Sequence, residues 1–346
     1  STRMAMKTYK DFSQVLESFF MDYLIKERGV SGNTIRSYRD TFVKFIDYMS
    51  QVHHTSPDKI KLESLTKDMV SSFLDWLESS NNASISTRNQ RYAALRSFFK
   101  YMMYEDPMHL AQWKLAASMK NKKCTSNTMS YLSTEGISLL LKQVNTSIPE
   151  GRRDFTLLSL LYNTGARVSE LTALTPSSIR LTKPYVVELY GKGSKKRIVP
   201  IDENVMELAK QYMEEKHLLG PGKSHYPLFH NVWGERLTTP GISYIIRKYA
   251  ASARAISPEL IPERISPHVF RHSRAMHLLQ AGVNLVYIRD ILGHVSIQTT
   301  EIYARADSKY KREALEKAYL DVGVIEPEVK SWEKDEKLKA FLKGLA

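Results

Sequence analysis

The 346 residues carry 50 lysines and arginines against 37 aspartates and glutamates, a formal net charge of +13, with 42% hydrophobic and 25% charged residues. This balance excludes a disordered chain, allows two domains with separate cores, and favours a polyanionic partner through release of condensed counterions. One cysteine, Cys124, excludes an internal disulfide and a cysteine-rich zinc site.

No apolar run reaches bilayer length, and the opening STRMAMKTYK lacks the apolar stretch of a secretory signal, so a cytosolic protein is expected. The N-terminal part has helical spacing throughout. Phe12, Val15, Leu16, Phe19, Phe20, Tyr23 and Leu24 share one face of a first helix that Gly29 stops. A second helix follows Ser31 with Ile35, Tyr38, Phe42, Phe45, Ile46 and Met49 as its apolar stripe. Thr66 caps a third, carrying Met69, Val70, Phe73, Leu74 and Leu77; Ser86 or Thr87 opens a fourth, with Tyr92, Leu95, Phe98, Phe99 and Met102 inward. Helices with short connections make a small bundle.

The polar faces of the second and fourth helices offer Asn33, Thr34, Arg36, Ser37 and Arg39, and Thr87, Arg88, Asn89, Arg91 and Arg96. Arginine beside asparagine or threonine near a helix start suits phosphate and major-groove contacts, but an ordinary solvated face has the same composition. From about Ala116 to Met129 the periodicity lapses, and Lys120, Lys122 and Lys123 give a basic linker able to run along phosphates. Ser133 then caps a new helix, and 153–174 is helical with a break at Asn163-Thr164-Gly165. Tyr185 to Tyr190 and Arg197 to Pro200 flank Gly191-Lys192-Gly193-Ser194, a β-hairpin with a lysine at its tip. Helical patterns return at Glu203–Glu215, at Ile242–Ala253, and from Tyr303 to about Leu320. After a Val-Ile-Glu-Pro-Glu hinge, Leu338, Phe341, Leu342 and Leu345 mark an amphipathic tail helix able to dock on its own domain or a neighbour. The fold class expected is mainly α with a small β-hairpin or sheet.

The segment from Ser266 to Ala304 concentrates chemistry. His268 and Arg271 at i, i+3 share a helix face, Gly293 allows a tight turn before His294, and Tyr303 follows. Metal-free phosphodiester cleavage needs guanidiniums for the non-bridging oxygens, an in-line nucleophile and an acid for the leaving oxygen. Arg167, Arg271, Lys192, His294 and Tyr303 are of those types, although each alone has a structural reading. His268 and His272 at i, i+4 hint at zinc, but no third ligand stands at convincing spacing.

ARVSEL around Arg167, GKG around Lys192, PHVFRH around His268 and Arg271, ILGH at His294 and TTEIYAR around Tyr303 resemble, in order and approximate spacing, the tyrosine recombinase (phage integrase) family. The bundle is similar to that family's SAM-like core-binding domain, so the resemblance spans nearly the whole chain. It implies a core-binding domain over 1–115, a linker over 116–130, an α+β catalytic domain over 131–325 and a tail over 326–346. It implies that Arg167 and Arg271 clamp the scissile phosphate, His294 hydrogen-bonds it, His268 is general base, Lys192 general acid, and Tyr303 the nucleophile that becomes a 3′-phosphotyrosine without ATP or metal.

It further implies DNA contacts by the faces around Arg36 and Arg88, and a homo-tetramer on two DNA sites that passes through a Holliday junction and exchanges C-terminal helices, in a prokaryotic nucleoid, with a partner recombinase or directionality factor as a further expectation. Arg274 departs from the pattern, standing where the family more often has an apolar or aromatic residue; it is expected to reach DNA or a partner or to form a local ion pair. The approach to the hairpin, 184–187, is about one residue longer than common in the family. With no domain expected ahead of the bundle, the closer resemblance is to Xer-like or transposon-encoded members. A type IB topoisomerase, and a non-catalytic DNA-binding protein on the same fold, are the rival readings.

Overall fold

The computed structural model describes residues 10–124, 129–294 and 297–318, with side chains described as far as residue 307. The chain divides into two compact units, Ser1–Ser126 and Asn127–Ala346. Among the described residues no helix is long and apolar enough to cross a membrane.

The first unit is helical. Helix α1 (Phe12–Ser18) is capped by the Asp11 carboxylate and runs on into a wider π-helical stretch, Phe19–Glu27, rather than one regular helix. Helix α2 (Gly32–His53) is capped by Ser31 and α3 (Lys67–Ser80) by Thr66, as expected. Helix α4 (Ile85–Glu105) starts earlier than expected: the Ser84 hydroxyl, not Ser86 or Thr87, accepts the Thr87 amide and serves as cap. A further helix, α5 (Leu110–Ala117), covers residues that the sequence reading left at the end of the first domain and the start of the linker. Its buried Trp113 and Ala116 close the bundle, with Trp113 Nε1 donating to Asp106 at 3.1 Å. Aromatic rings fill the core: Phe19, Phe42 and Phe98 meet edge-on at 5.3–6.1 Å, and Phe45 meets Phe73 at 5.3 Å.

In the second unit α6 (Thr134–Lys142), capped by Ser133, leads to α7 (Pro149–Thr164). Leu157, Leu158, Leu160 and Leu161 of α7 are all fully buried, so this helix is covered on nearly every side and forms the spine of the second unit's core. After the short α8 (Val168–Thr172) comes a three-stranded antiparallel sheet in the order β1 (Ile179–Arg180), β2 (Val186–Tyr190), β3 (Lys196–Pro200). The expected hairpin is β2–β3, pairing Val187 with Val199 and Tyr190 with Lys196; β1 adds an edge strand too short to register in the sequence. Helices α9 (Glu203–Glu215) and α10 (Thr239–Ile256) cover the core, and α11 (Pro267–Gln280), α12 (Leu285–Leu292) and α13 (Ile297–Ala318) complete it. Tyr303 lies inside α13, not ahead of it. The expected tail, 326–346 with its hinge and Leu338–Leu345 stripe, lies outside the described residues.

Phe73 is fully buried against Phe45, Tyr48 and Trp76. Phe73→Ala is expected to destabilise the protein by about 3–5 kcal/mol, read as a lower urea midpoint by tryptophan fluorescence. A change under ~1 kcal/mol would contradict the close-packed core described here.

Candidate active site

The site is built where α7 stops. Gly165 takes a left-handed conformation (φ +62°), and a Cβ there would lie 2.8 Å from Leu292 Cδ2, so α7 turns sharply against the end of α12. The turn delivers Arg167 to the N-cap of α8. Its amide donates to Glu170 Oε2 at 2.7 Å and its Nη1 to Glu170 Oε1 at 3.0 Å.

Arg271 projects inward from α11 and is 4% exposed. It spans two loops: Nη1 donates to the Gly165 carbonyl and Nη2 to the Leu292 carbonyl, each at 2.6 Å. Burial, then the charges of Arg167 and Arg197, pull it down to about 10, so it remains cationic near neutral pH. Gly293, also left-handed (φ +67°), ends α12 and releases His294, whose Nδ1 is 2.8 Å from the hydroxyl of the buried Thr300.

Tyr303 is 1% exposed. Its ring stacks on His294 at 6.2 Å with 6° between planes, and its hydroxyl shares a 3.0 Å hydrogen bond with Nδ1 of His272. Burial raises the phenol above its usual range, against the pull of Arg271 and Arg167. The histidines move the other way. Burial, then nearby arginines, takes His294 to about 4; burial, then His268 and Arg271, takes His272 to about 4; burial, Arg271 and Arg167 also lower the exposed His268. The site therefore holds fixed cations beside neutral imidazoles, an arrangement that attracts an anion and leaves ring nitrogens able to accept a proton.

Of the residues singled out by sequence, Arg167, His268, Arg271, His294 and Tyr303 come together. Lys192 sits apart on the exposed turn Lys192–Ser194 between β2 and β3 and makes no hydrogen bond or ion pair among the described residues. Three residues were missed. His272, weighed only as a metal ligand, is the partner of the Tyr303 hydroxyl; its place one residue after Arg271 was the available signal. Glu170 and Arg197 form an ion pair behind Arg167, with Arg197 Nε on the Ile291 carbonyl at 2.8 Å. Nothing in the spacing links residues 27 positions apart on different elements.

The nucleic-acid candidates divide. Arg36 and Arg39 on α2 are exposed and pair with Asn33 and Asp40, and Lys120 and Lys123 are exposed as well; the Thr34 hydroxyl pairs with the Ser31 cap. Arg88 does not lie on a polar face: it is 4% exposed, with Nε 3.1 Å from Glu78, because α4 turns that side toward α3. Arg91 donates to the Ser37 carbonyl and tethers α4 to α2. Asn89 and Arg96 hold the strap after α5 through the Lys122 and Met119 backbones, Lys122 pairs with Glu78, and Thr87 pairs with the Ser84 cap. Arg274, half-buried, lays its guanidinium over Tyr162 at 5.4 Å and forms no ion pair among the described residues.

Residues 130–309 match the phage integrase family and residues 18–106 the phage integrase N-terminal SAM-like domain. The chain belongs to the phage integrase family. It is thus a tyrosine recombinase, an enzyme of site-specific DNA cleavage and religation. Among curated proteins it is 33% identical to the putative integrase/recombinase y4rC of Sinorhizobium fredii, over 98% of this chain and 100% of that one, and 32% identical to the tyrosine recombinase XerD of Listeria innocua, over 82% and 91%. The fold resembles that of the XerH site-specific recombinase in its post-cleavage complex with difH DNA (TM-score 0.68, 24% identity, 83% of this chain and 80% of that one). It also resembles the Tn1549 transposon integrase bound to transposon-end DNA (TM-score 0.65, 17% identity, 88% and 100%).

His272 and His294 are neutral near pH 4 to 6.5 in the folded protein but bind a proton near pH 6.5 when unfolded. The unfolded state therefore takes up more protons across that window, and stability falls as pH drops through it. Urea denaturation at about pH 7 and about pH 5 should show this loss, and His272→Gln with His294→Gln should flatten it. An undiminished slope in the double variant would assign the acid sensitivity elsewhere.

Proposed function

We propose that this recombinase integrates or excises a mobile DNA element, using Tyr303 as nucleophile. The observation that carries the assignment is a buried tyrosine lying in the field of Arg167 and Arg271 beside neutral histidines. The integrase name of the relative matched along its entire length supports the mobile-element reading.

In the reaction proposed, the Tyr303 oxygen attacks the scissile phosphorus in line and its proton passes to a neutral imidazole. His268 is the base assigned to that step; His272, already on the hydroxyl, keeps the phenol oriented. Arg167 and Arg271 meet the negative charge that builds on the non-bridging oxygens, and His294 adds a hydrogen bond. As the P–O5′ bond breaks, Lys192 protonates the leaving oxygen. The exposed hairpin turn that carries Lys192 suits a group that closes onto DNA. The 3′-phosphotyrosine retains the bond energy, and attack by a 5′-hydroxyl reverses the step to religate.

In this reading residues 1–115 form the core-binding domain and present Arg36 and Arg39 to DNA, 116–130 form the linker with Lys120 and Lys123, and 131–325 carry the chemistry. Two DNA sites are held by a homo-tetramer, with the tail, 326–346, docking on a neighbouring protomer.

Tyr303→Phe is expected to keep DNA binding and form no covalent adduct on a nicked suicide duplex; adducts from that variant would reassign the nucleophile. Lys192→Ala is expected to slow cleavage roughly 100-fold or more, with most of the rate recovered on a 5′-thiol substrate whose leaving group needs no acid. No recovery would remove Lys192 from the acid role. Deleting 333–346 should leave single-site binding intact and weaken synapsis in native gels; unchanged tetramer formation would refute docking of the tail on a neighbour.

A further inference from the structure

Behind the phosphate-facing groups lies an ion cluster that the reaction scheme above does not use. Glu170 is 2% exposed and faces two guanidiniums. Oε1 takes Nη1 of both Arg167 (3.0 Å) and Arg197, while Oε2 takes Arg197 Nη2 at 2.8 Å and the Arg167 amide at 2.7 Å. The two arginines are not equivalent. The Arg197 side chain is 11% exposed and its Nε is committed to the Ile291 carbonyl; the Arg167 side chain is 38% exposed and, among the described residues, has no acceptor other than Glu170. Glu170 thus has one resident cation and one with an open side.

We propose that Arg197 is a positioning residue that keeps the Glu170 carboxylate neutralised, so that the Arg167 guanidinium can turn from Glu170 to the scissile phosphate; this rests on the catalytic reading of Arg167 given above. A buried carboxylate with one cationic partner holds it strongly, because letting go leaves an uncompensated charge in a poorly solvated place. A second guanidinium removes that penalty. The rest of the geometry fits this role. Gly191, at the root of the Lys192 hairpin, stands so close that a Cβ would lie 3.3 Å from Glu170 Oε1, and Gly293 stands where a Cβ would lie 2.8 Å from Arg197 Cδ. The cluster therefore also fixes the bases of the elements that bear Lys192 and His294.

A merely structural pair would lose activity through misfolding, at all pH values alike. Neutralisation makes a different demand. Without Arg197, the carboxylate of Glu170 competes with DNA for Arg167, and protonating it or replacing it should end the competition. Burial alone pushes Glu170 up, and in the intact protein Arg197 and Arg167 outweigh that, holding it below the usual range. Removing Arg197 should bring its titration toward neutral pH.

The test is single-turnover cleavage of a nicked suicide duplex at saturating DNA. Arg197→Ala is expected to lower the rate about 100-fold while the DNA dissociation constant stays within about threefold. Adding Glu170→Gln to Arg197→Ala should restore about tenfold of the loss. The deficit of Arg197→Ala against wild type should narrow from about pH 8 to about pH 6, and Arg197→Lys, which keeps a cation beside Glu170, should stay within about tenfold of wild type. Should Arg197→Ala fail to fold in thermal unfolding, Arg197→Gln carries the same comparison. Losses that multiply in the double variant, or a deficit independent of pH, would overturn the proposal. Tyr303→Phe assayed alongside separates the two readings: adducts from that variant would strike the nucleophile assignment and with it the assay's premise, whereas additivity with a silent Tyr303→Phe strikes the role of Arg197 alone.

Discussion

The site depends on how the C-terminus of α12 is held. Its last carbonyls, Ile291 and Leu292, point the negative end of a helix at the centre of the unit, and each receives a guanidinium: Arg197 on Ile291, Arg271 on Leu292. A hydrogen bond to a charged donor contributes about 1.5–3 kcal/mol, roughly twice a neutral one. The same Arg271 reaches back to the Gly165 carbonyl at the end of α7. One side chain thereby joins the turn before Arg167 to the turn before His294, and both turns need a glycine at positive φ to come so close. Arg271 is thus the clasp of this part of the fold.

The same crowding of cations sets the protonation states around it. Arg167, Arg197 and Arg271 lie within reach of one another, with the buried carboxylate of Glu170 between Arg167 and Arg197. The surplus positive charge has nowhere to go but onto an incoming anion, and burial together with that charge keeps His272 and His294 neutral. The cost is a site under electrostatic tension until an anion enters it.

How much of this the sequence disclosed follows from how local each signal is. The caps Ser31, Thr66 and Ser133 sit next to the helices they start and were legible at once. So were the β2–β3 hairpin around Gly191-Lys192-Gly193-Ser194 and the motifs around Arg167, His268, Arg271, His294 and Tyr303. Helix α5 was not, since its face consists of Trp113 and Ala116 with little else apolar in a regular stripe. Arg88 and Arg91 read as groove-facing because a helical wheel cannot tell a side chain that reaches outward from one that folds back onto Glu78 or the Ser37 carbonyl. The Glu170–Arg197 pair and the Tyr303–His272 bond were invisible for a related reason. The first joins α8 to β3 and the second α11 to α13, elements that become neighbours only once the unit has packed.

The placement of Tyr303 has a consequence for catalysis. A nucleophile must present its oxygen to phosphorus, yet the Tyr303 hydroxyl is buried on His272 and its ring lies against His294. If Tyr303 attacks DNA, the arrangement described is one in which the attacking group is withheld. The hold is modest: one neutral hydrogen bond of about 1 kcal/mol and an aromatic contact of similar size. Protonating His272 would weaken it, but an imidazole held near 4 stays neutral at ordinary pH, so acid does not open the site. On that reading, release would have to come from what DNA supplies at Arg167, Arg271 and His294. A phosphate drawn into that cluster would then compete for His294, the ring on which Tyr303 rests, and on that reading substrate binding and exposure of the tyrosine would be one event.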